Sequence, residues 1–189
     1  YGYQIKQIPI FESDTQDKGF NIAIDLSSSE YLIFYSNRTY NAIFNNSSRY
    51  PISASYYDSL FNEKLGYSLV KSFTQYPEIA GIHFQHDTFS INDIPTPIGF
   101  PTDDKSGFNL NLGYGDNDIV NYDHPVVLIF ENIQKYKPDR IYQTIYSGRT
   151  NYPSELNSVL NTEDRIINSN GGTWNNIFSE NILAQKLPI

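Results

Sequence analysis

The segment Pro125-Val126-Val127-Leu128-Ile129-Phe130, entered through the polar corner Tyr122-Asp123-His124, decides the fold class of this chain. Its apolar, largely β-branched residues predict a core strand, and Pro125 suits the start of a strand, where its missing N–H is harmless. We interpret Asp123 and His124 as caps of the turn before the strand. They do not suggest a catalytic dyad, because neighbours on an extended segment face apart and no Gly-x-Ser-x-Gly nucleophile elbow exists in the chain.

Further strands and helices are predicted on the N-terminal side of this segment. The continuous apolar run Tyr31-Leu32-Ile33-Phe34-Tyr35 predicts a second buried strand, and the alternation over residues 67–74 predicts a third. Between them, a helix is predicted with Ser53 as its cap and Gly66 as its stop. Its apolar stripe comprises Tyr56, Tyr57, Leu60, Phe61 and Leu65.

An earlier helix is predicted over residues 17–27. Ser13 and Gln16 have the spacing of a capping box, and Phe20, Ala23 and Ile24 fall on one helical face.

The order helix, strand, helix, strand indicates an α/β (or α+β) fold, a small open mixed sheet with flanking helices. The helix after Ser53 is long enough to cross over between parallel strands. Residues 87–122 are rich in Pro, Gly, Asp and Asn, which predicts a long irregular insertion with a small hairpin near residues 108–112. Short helices are predicted within residues 153–169. We expect one domain over residues 1–189.

Composition restricts the function classes. The chain has 21 acidic and 13 basic residues, a net charge of -8, which argues against a nucleic-acid partner because phosphate binding needs clustered Lys and Arg. The absence of Cys rules out disulfides, thiolate metal sites and Cys nucleophiles. The chain also lacks Met, even at position 1, which suggests a processed product or an excised fragment.

Metal ligands are sparse. His83, His86 and Asp87 form the one cluster of ligand-type residues, but a strand end would turn the two histidines to opposite faces, so two loop histidines are the preferred interpretation. Asp116 and Asp118, with the loop at residues 102–107, offer oxygen ligands of the kind that calcium takes. Neither segment fits the twelve-residue calcium loop, and solvated turns are preferred. We therefore predict no catalytic, cofactor or metal site, and keep calcium as the alternative cofactor.

Three glycosylation sequons begin at Asn37, Asn45 and Asn46, within one polar stretch. Such a cluster is typical of a glycosylated surface, although a chain rich in Asn and Ser also produces these triplets by chance.

Several phrases in order resemble a known family. They are Glu30-Tyr31-Leu32-Ile33-Phe34-Tyr35-Ser36-Asn37-Arg38, Arg49-Tyr50-Pro51 with the helix stripe and Leu65-Gly66-Tyr67, then Tyr122-Asp123-His124-Pro125 with the apolar strand that follows it, and last Gly171-Gly172-Thr173-Trp174 with Phe178 and Leu187-Pro188. Together they resemble the extracytoplasmic domain of polytopic membrane proteins related to the dolichyl-phosphate-mannose protein mannosyltransferases. The nearest likeness is the YYY type of archaea and Chloroflexi, in or near the GT-C glycosyltransferase superfamily. The likeness covers most of residues 14–189 and is weakest over residues 87–122.

The resemblance implies a membrane-tethered, extracytoplasmic location, with residues 171–189 approaching a membrane span. In that superfamily, acidic residues in loops beside the transmembrane helices act on a lipid-phosphate sugar donor, and those loops are not in this chain. No catalytic residue carries over. The implied role is to position a glycan or protein acceptor, or to brace the transmembrane region of the parent chain.

Two other hypotheses remain open. One is a self-standing secreted or cell-surface module for glycan binding or assembly. The other is a small enzyme whose site lies in the insertion, with His83, His86 and Asp87 as the residues to test.

Overall fold

The structure is a computed structural model that describes residues 4–74, 78–85, 87, 89, 94–101, 108–113 and 125–152. All of these belong to one compact unit, Tyr1–Pro153. The short helices predicted after Tyr152 and the membrane-approach segment at residues 171–189 lie outside the described residues.

Helices and strands alternate through most of this unit. The helices are α1 Gln16–Ser28, α2 Arg38–Asn45, α3 Pro51–Phe61 and α4 Pro138–Gly148, followed by a 3₁₀ turn, Arg149–Asn151. The strands are β1 Tyr31–Phe34, β2 Tyr67–Phe73, β3 Glu78–Ile79, β4 Ile82–Gln85, β5 Phe108–Asn111 and β6 Val127–Asn132. The fold class is α+β, as the sequence pattern predicts.

The main sheet has the order β1-β6-β2, and both of its pairings are antiparallel. Helices α2 and α3 therefore connect two strands of the same direction, but β6 lies between those strands. The helix predicted after Ser53 therefore does lie in a crossover between two strands of the same direction, although these strands are not neighbours. The length of a crossover helix does not determine whether another strand lies between the two strands that it connects.

Alternation along β6 separates the two faces of the main sheet. Leu128, Phe130 and Asn132 are buried, while the residues between them are half-buried. The buried face carries the helices: the rings of Phe61 in α3 and Phe130 stack at 6.0 Å, and Phe34 in β1 meets Phe130 edge-on at 5.9 Å. This face contains most of the core.

Helix α3 presents the predicted stripe to this core, since Tyr56, Tyr57, Leu60 and Phe61 are all buried. Its start differs from the prediction, because Pro51 occupies the first turn and the cap position is Tyr50. Helix α4 covers α3 from outside, where the Ser55 hydroxyl donates to the Ile145 carbonyl at 2.6 Å.

Helix α1 differs from the sequence expectation in both its cap and its buried face. The Thr15 hydroxyl, rather than Ser13, accepts the Lys18 N–H at 3.2 Å. Phe20 and Ile24 are exposed, and the buried residues are Lys18, Gly19, Ile22, Ala23 and Leu26.

The second sheet has the order β3-β4-β5. β3 and β4 form a tight hairpin through Ala80 and Gly81, which both have positive φ as a type I′ turn requires. β5 pairs with β4 in parallel, so the hairpin predicted near residues 108–112 is wrong: this segment adds a strand to an existing hairpin. The second sheet is therefore mixed.

Gly66 ends the turn after α3 with a φ of +83°, and an added Cβ would lie 2.9 Å from Gln134 Cβ and 3.0 Å from Tyr136 Cδ2. We expect Gly66→Ala to lower the free energy of unfolding by about 2–4 kcal/mol, through left-handed strain and overpacking together. Urea denaturation followed by circular dichroism measures this. Gly81→Ala is the matched control, with a φ of +78° and open space around it, and should cost about 1 kcal/mol. Equal losses in the two variants would refute the packing contribution at Gly66.

Within the residues that the structure describes, no helix has both the length and the apolar character needed to cross a bilayer.

Candidate functional site

The described members of the predicted histidine cluster have separate partners. His83 lies on β4 beside Glu78 of β3, with Nδ1 at 3.6 Å from Glu78 Oε2. The Asp87 carboxylate accepts the Phe89 N–H at 3.0 Å, and its backbone N–H donates to the Gly113 carbonyl. No group of three or more metal-ligating side chains occurs among the described residues.

The other candidate ligands lie outside the described residues. These are His86, Asp116 and Asp118, together with the loop at residues 102–107 and the Asp123-His124 corner. Calcium binding by the insertion stays a prediction.

The three sequon asparagines differ in accessibility. Asn37 is fully buried at the start of α2, and neither polar atom of its side-chain amide has a hydrogen-bond partner among the described residues. Attachment of an oligosaccharide at Asn37 would require this side chain to become exposed. Asn45 and Asn46 are exposed at the end of α2, and glycosylation at these two positions stays a prediction.

A polar cleft that the sequence did not reveal lies where α1 ends, β1 begins and β6 ends. It has a volume of about 430 Å³ and is open to solvent. We call it the serine cleft, and it is lined by residues 27–31, 131, 132 and 135.

The floor of the serine cleft is fixed by hydrogen bonds to the last turn of α1. The Asn132 amide donates to the carbonyls of Leu26 at 3.2 Å and Ser29 at 3.0 Å, and its Oδ1 accepts the Lys135 N–H at 2.9 Å. The Tyr67 hydroxyl lies 2.6 Å from the same Leu26 carbonyl. These bonds satisfy carbonyls that a helix end leaves without partners. The floor of the cleft is thus fixed by hydrogen bonds between the end of α1 and the strands β2 and β6.

The wall of the cleft holds three serines whose hydroxyl hydrogens are already used. Ser27 donates to the Ile24 carbonyl at 2.8 Å, and Ser28 and Ser29 donate to the Asp25 carbonyl at 3.0 and 2.7 Å. This back-bonding is a common use of serine in helices. Each hydroxyl oxygen can still accept hydrogen bonds, so this wall is rich in acceptors.

The rim of the cleft carries charge and one aromatic ring. Glu30 and Glu131 supply carboxylates and Lys135 an ammonium group. Tyr31 is 53% exposed, and its hydroxyl lies 3.5 Å from Glu131 Oε1. The sequence could have suggested the Ser27-Ser28-Ser29-Glu30 half of this site from its run of polar residues. It gave no sign that residues a hundred positions later complete it.

Three tyrosines in the core have raised pKa values. Burial raises the pKa of Tyr56 well above its usual value, with smaller contributions from Tyr57 and Tyr67. Burial raises the pKa of Tyr57 to about 12, opposed by a hydrogen bond with Thr39. Burial likewise raises the pKa of Tyr67, opposed by Asn132. All three are deep in the core and away from solvent, which suits a structural role.

Lys18 and Asp14 form a buried ion pair at 2.7 Å, with side chains 2% and 6% exposed. The Lys18 ammonium also donates to the carbonyls of Ile10 and Glu12. The other carboxylate oxygen of Asp14 accepts the Ile52 N–H in the first turn of α3. The pair therefore fastens the N-terminal segment and α1 to the start of α3.

With the fold and these sites described, the part of the chain that the structure describes is an α+β domain with a polar, solvent-open cleft near its main sheet. No protein-family model, curated protein or solved structure matches the chain.

Proposed function

We propose that this chain is the extracytoplasmic domain of a membrane glycosyltransferase-like protein. In this role it is not the catalytic part: it positions the acceptor or braces the transmembrane region of the parent chain. The parent would use a lipid-phosphate sugar donor, as the resemblance implies.

One observation carries the proposal. Three phrases of the resemblance are far apart in the sequence, but their described residues meet in one core. Phe34 of the first phrase lies 5.8 Å from Tyr57 of the second and 5.9 Å from Phe130, in the strand that follows the third. These phrases therefore belong to one packed unit, as segments of a single domain do.

The outer face of the main sheet adds support. Ile33 and Phe73 are each more than half exposed on it. By register, Ile33 lies opposite Ile129, and Phe73 lies opposite Val127. A sheet face this apolar is typical of a surface that contacts another protein region, as a bracing domain requires.

The test is the topology of the full-length parent. Because the chain has no Cys, Tyr35→Cys places a single thiol at a side chain that is 77% exposed. In an otherwise Cys-free parent, we expect a membrane-impermeant maleimide to label this thiol in intact cells. Ser59→Cys, at a side chain 2% exposed, is the control and should react only after denaturation.

Labelling of Tyr35→Cys only after cell lysis would refute the extracytoplasmic location. A full-length gene without apolar runs of roughly 20 residues on either side of this domain would refute the membrane parent.

The alternative is a self-standing secreted or surface module for glycan binding or assembly. The serine cleft, with its acceptors beside the exposed Tyr31 ring, favours this function. A signal peptide directly before Tyr1, without membrane spans, would distinguish it from the first proposal.

A further inference from the structure

We propose that the serine cleft is a saccharide-binding site, in which the Tyr31 ring packs against the sugar and the Glu30 and Glu131 carboxylates bind its hydroxyls. The proposal deepens the proposed function and rests on it for the biological role of the bound sugar. A volume of about 430 Å³ is in the range of about 300–1,000 Å³ that small-molecule sites occupy.

The hydrogen-bonding capacity of the cleft matches a polyol. The serine hydroxyls and the two carboxylates offer acceptors, while Lys135 offers donors and forms no ion pair with any described residue. Each hydroxyl of a sugar is both a donor and an acceptor. A saccharide can therefore satisfy both walls at once, which a purely donating or purely accepting ligand cannot do.

The charge of the cleft disfavours other ligand classes. The lining contains two carboxylates, Glu30 and Glu131, and one ammonium group, Lys135, so its formal net charge is -1. The carboxylates and the C-terminal end of α1 repel an anion such as phosphate. Lys135 repels a cation, and no group of three or more metal-ligating side chains occurs among the described residues. A neutral ligand remains.

Tyr31 supplies the apolar contact that a sugar ring needs. Its ring is half exposed on the rim, and its hydroxyl points within reach of Glu131. An aromatic body with a polar tip suits a ligand whose faces are C–H groups and whose edges are hydroxyls. Tyr35, four residues further on, is more exposed but does not line the cleft, and it offers a matched control.

The experiment is a titration of the full ¹⁵N-labelled chain with neutral mono- and disaccharides of glucose, mannose, galactose and N-acetylglucosamine, followed by amide chemical shifts. We expect saturable shifts confined to residues 27–31 and 131–135. Tyr31→Ala and Glu131→Gln should each weaken binding about tenfold or more, since each removes a contact to the sugar. Tyr35→Ala should bind as the unchanged chain does. The same spectra show whether each variant is folded.

Absence of saturable shifts with every sugar would overturn the proposal, as would unchanged binding by Tyr31→Ala. A parallel titration with the polyamine cation spermidine tests for a cation site. Saturable shifts with spermidine and with no sugar would also overturn the proposal. None of these results affects the thiol-labelling test of membrane topology, so failure of the saccharide site and failure of the proposed function can be told apart.

Discussion

Replacing Lys18 by Met is expected to lower the free energy of unfolding by about 3–5 kcal/mol, the usual cost of removing one partner of a buried ion pair. The Lys18 ammonium donates to Asp14 Oδ1 at 2.7 Å and to the carbonyls of Ile10 and Glu12 at 2.6 and 2.8 Å. Met fills a similar volume without a donor, so these acceptors stay buried without that partner. Urea denaturation followed by far-ultraviolet circular dichroism gives the difference.

Lys6→Met is the matched control for this variant. Lys6 also pairs with an aspartate, Asp25, at 3.0 Å, but its side chain is 60% exposed. Exposed pairs contribute about 0–1 kcal/mol, so we expect a change of that size. If Lys18→Met proved no more destabilising than Lys6→Met, the ion pair would not be the fastening of α1 and α3 that the geometry indicates.

The second large effect is a loss of stability in alkali. An unfolded tyrosine ionises near about pH 10, while burial keeps Tyr56, Tyr57 and Tyr67 protonated above that value. The folded state then holds more protons than the unfolded state, so stability is complete below about pH 10 and falls as the pH rises. Each tyrosine lowers the free energy of unfolding by up to about 1.4 kcal/mol per pH unit, and the three together lower it by about 4 kcal/mol per pH unit. Since domains are stable by about 5–15 kcal/mol, we expect unfolding by roughly pH 12.

Two signals measured together test this expectation. Exposed tyrosines should titrate near their ordinary pKa with no change in circular dichroism. The buried fraction should ionise later, together with the loss of helix signal. Tyr56→Phe is the control variant, because the Tyr56 hydroxyl is buried and has no hydrogen-bond partner within the described part of the chain, so its removal should cost little at neutral pH. It should shift the alkaline midpoint upward. Ionisation of every tyrosine in the still-folded chain would contradict the account.

Local patterns predicted the central elements well. The stripe of α3 and the segment that forms β6 are confirmed as core elements, because their apolar pattern follows the buried face. The apolar run at β1 does form a strand, but the prediction that this strand is buried is wrong: Leu32 is buried, while Tyr31 and Ile33 are exposed, since β1 is an edge strand with one uncovered face. Helix α2 was not predicted, since the residues around it were described only as a polar stretch that holds the three sequons. The spacing of Tyr40, Ile43 and Phe44, which are buried on one face, was the signal that would have revealed it.

Burial in α1 shows where such patterns fail. The apolar Phe20 and Ile24 lie outside, and the charged Lys18 lies inside. A charge can be buried only where partners meet it, and these come from the N-terminal segment and from Asp14, which also caps α3. Periodicity along one helix contains no information on partners supplied by other segments.

The sequence by itself determined the class of the fold, the core strands and the main helix, because these follow from backbone preference and the period of apolar residues. Only the tertiary structure decided that β6 lies between β1 and β2, and that Glu131, Asn132 and Lys135 meet the serines at the end of α1. Strand order and the serine cleft depend on contacts between residues about a hundred positions apart. Such contacts are selected by the packing of the whole core, and no local pattern encodes them.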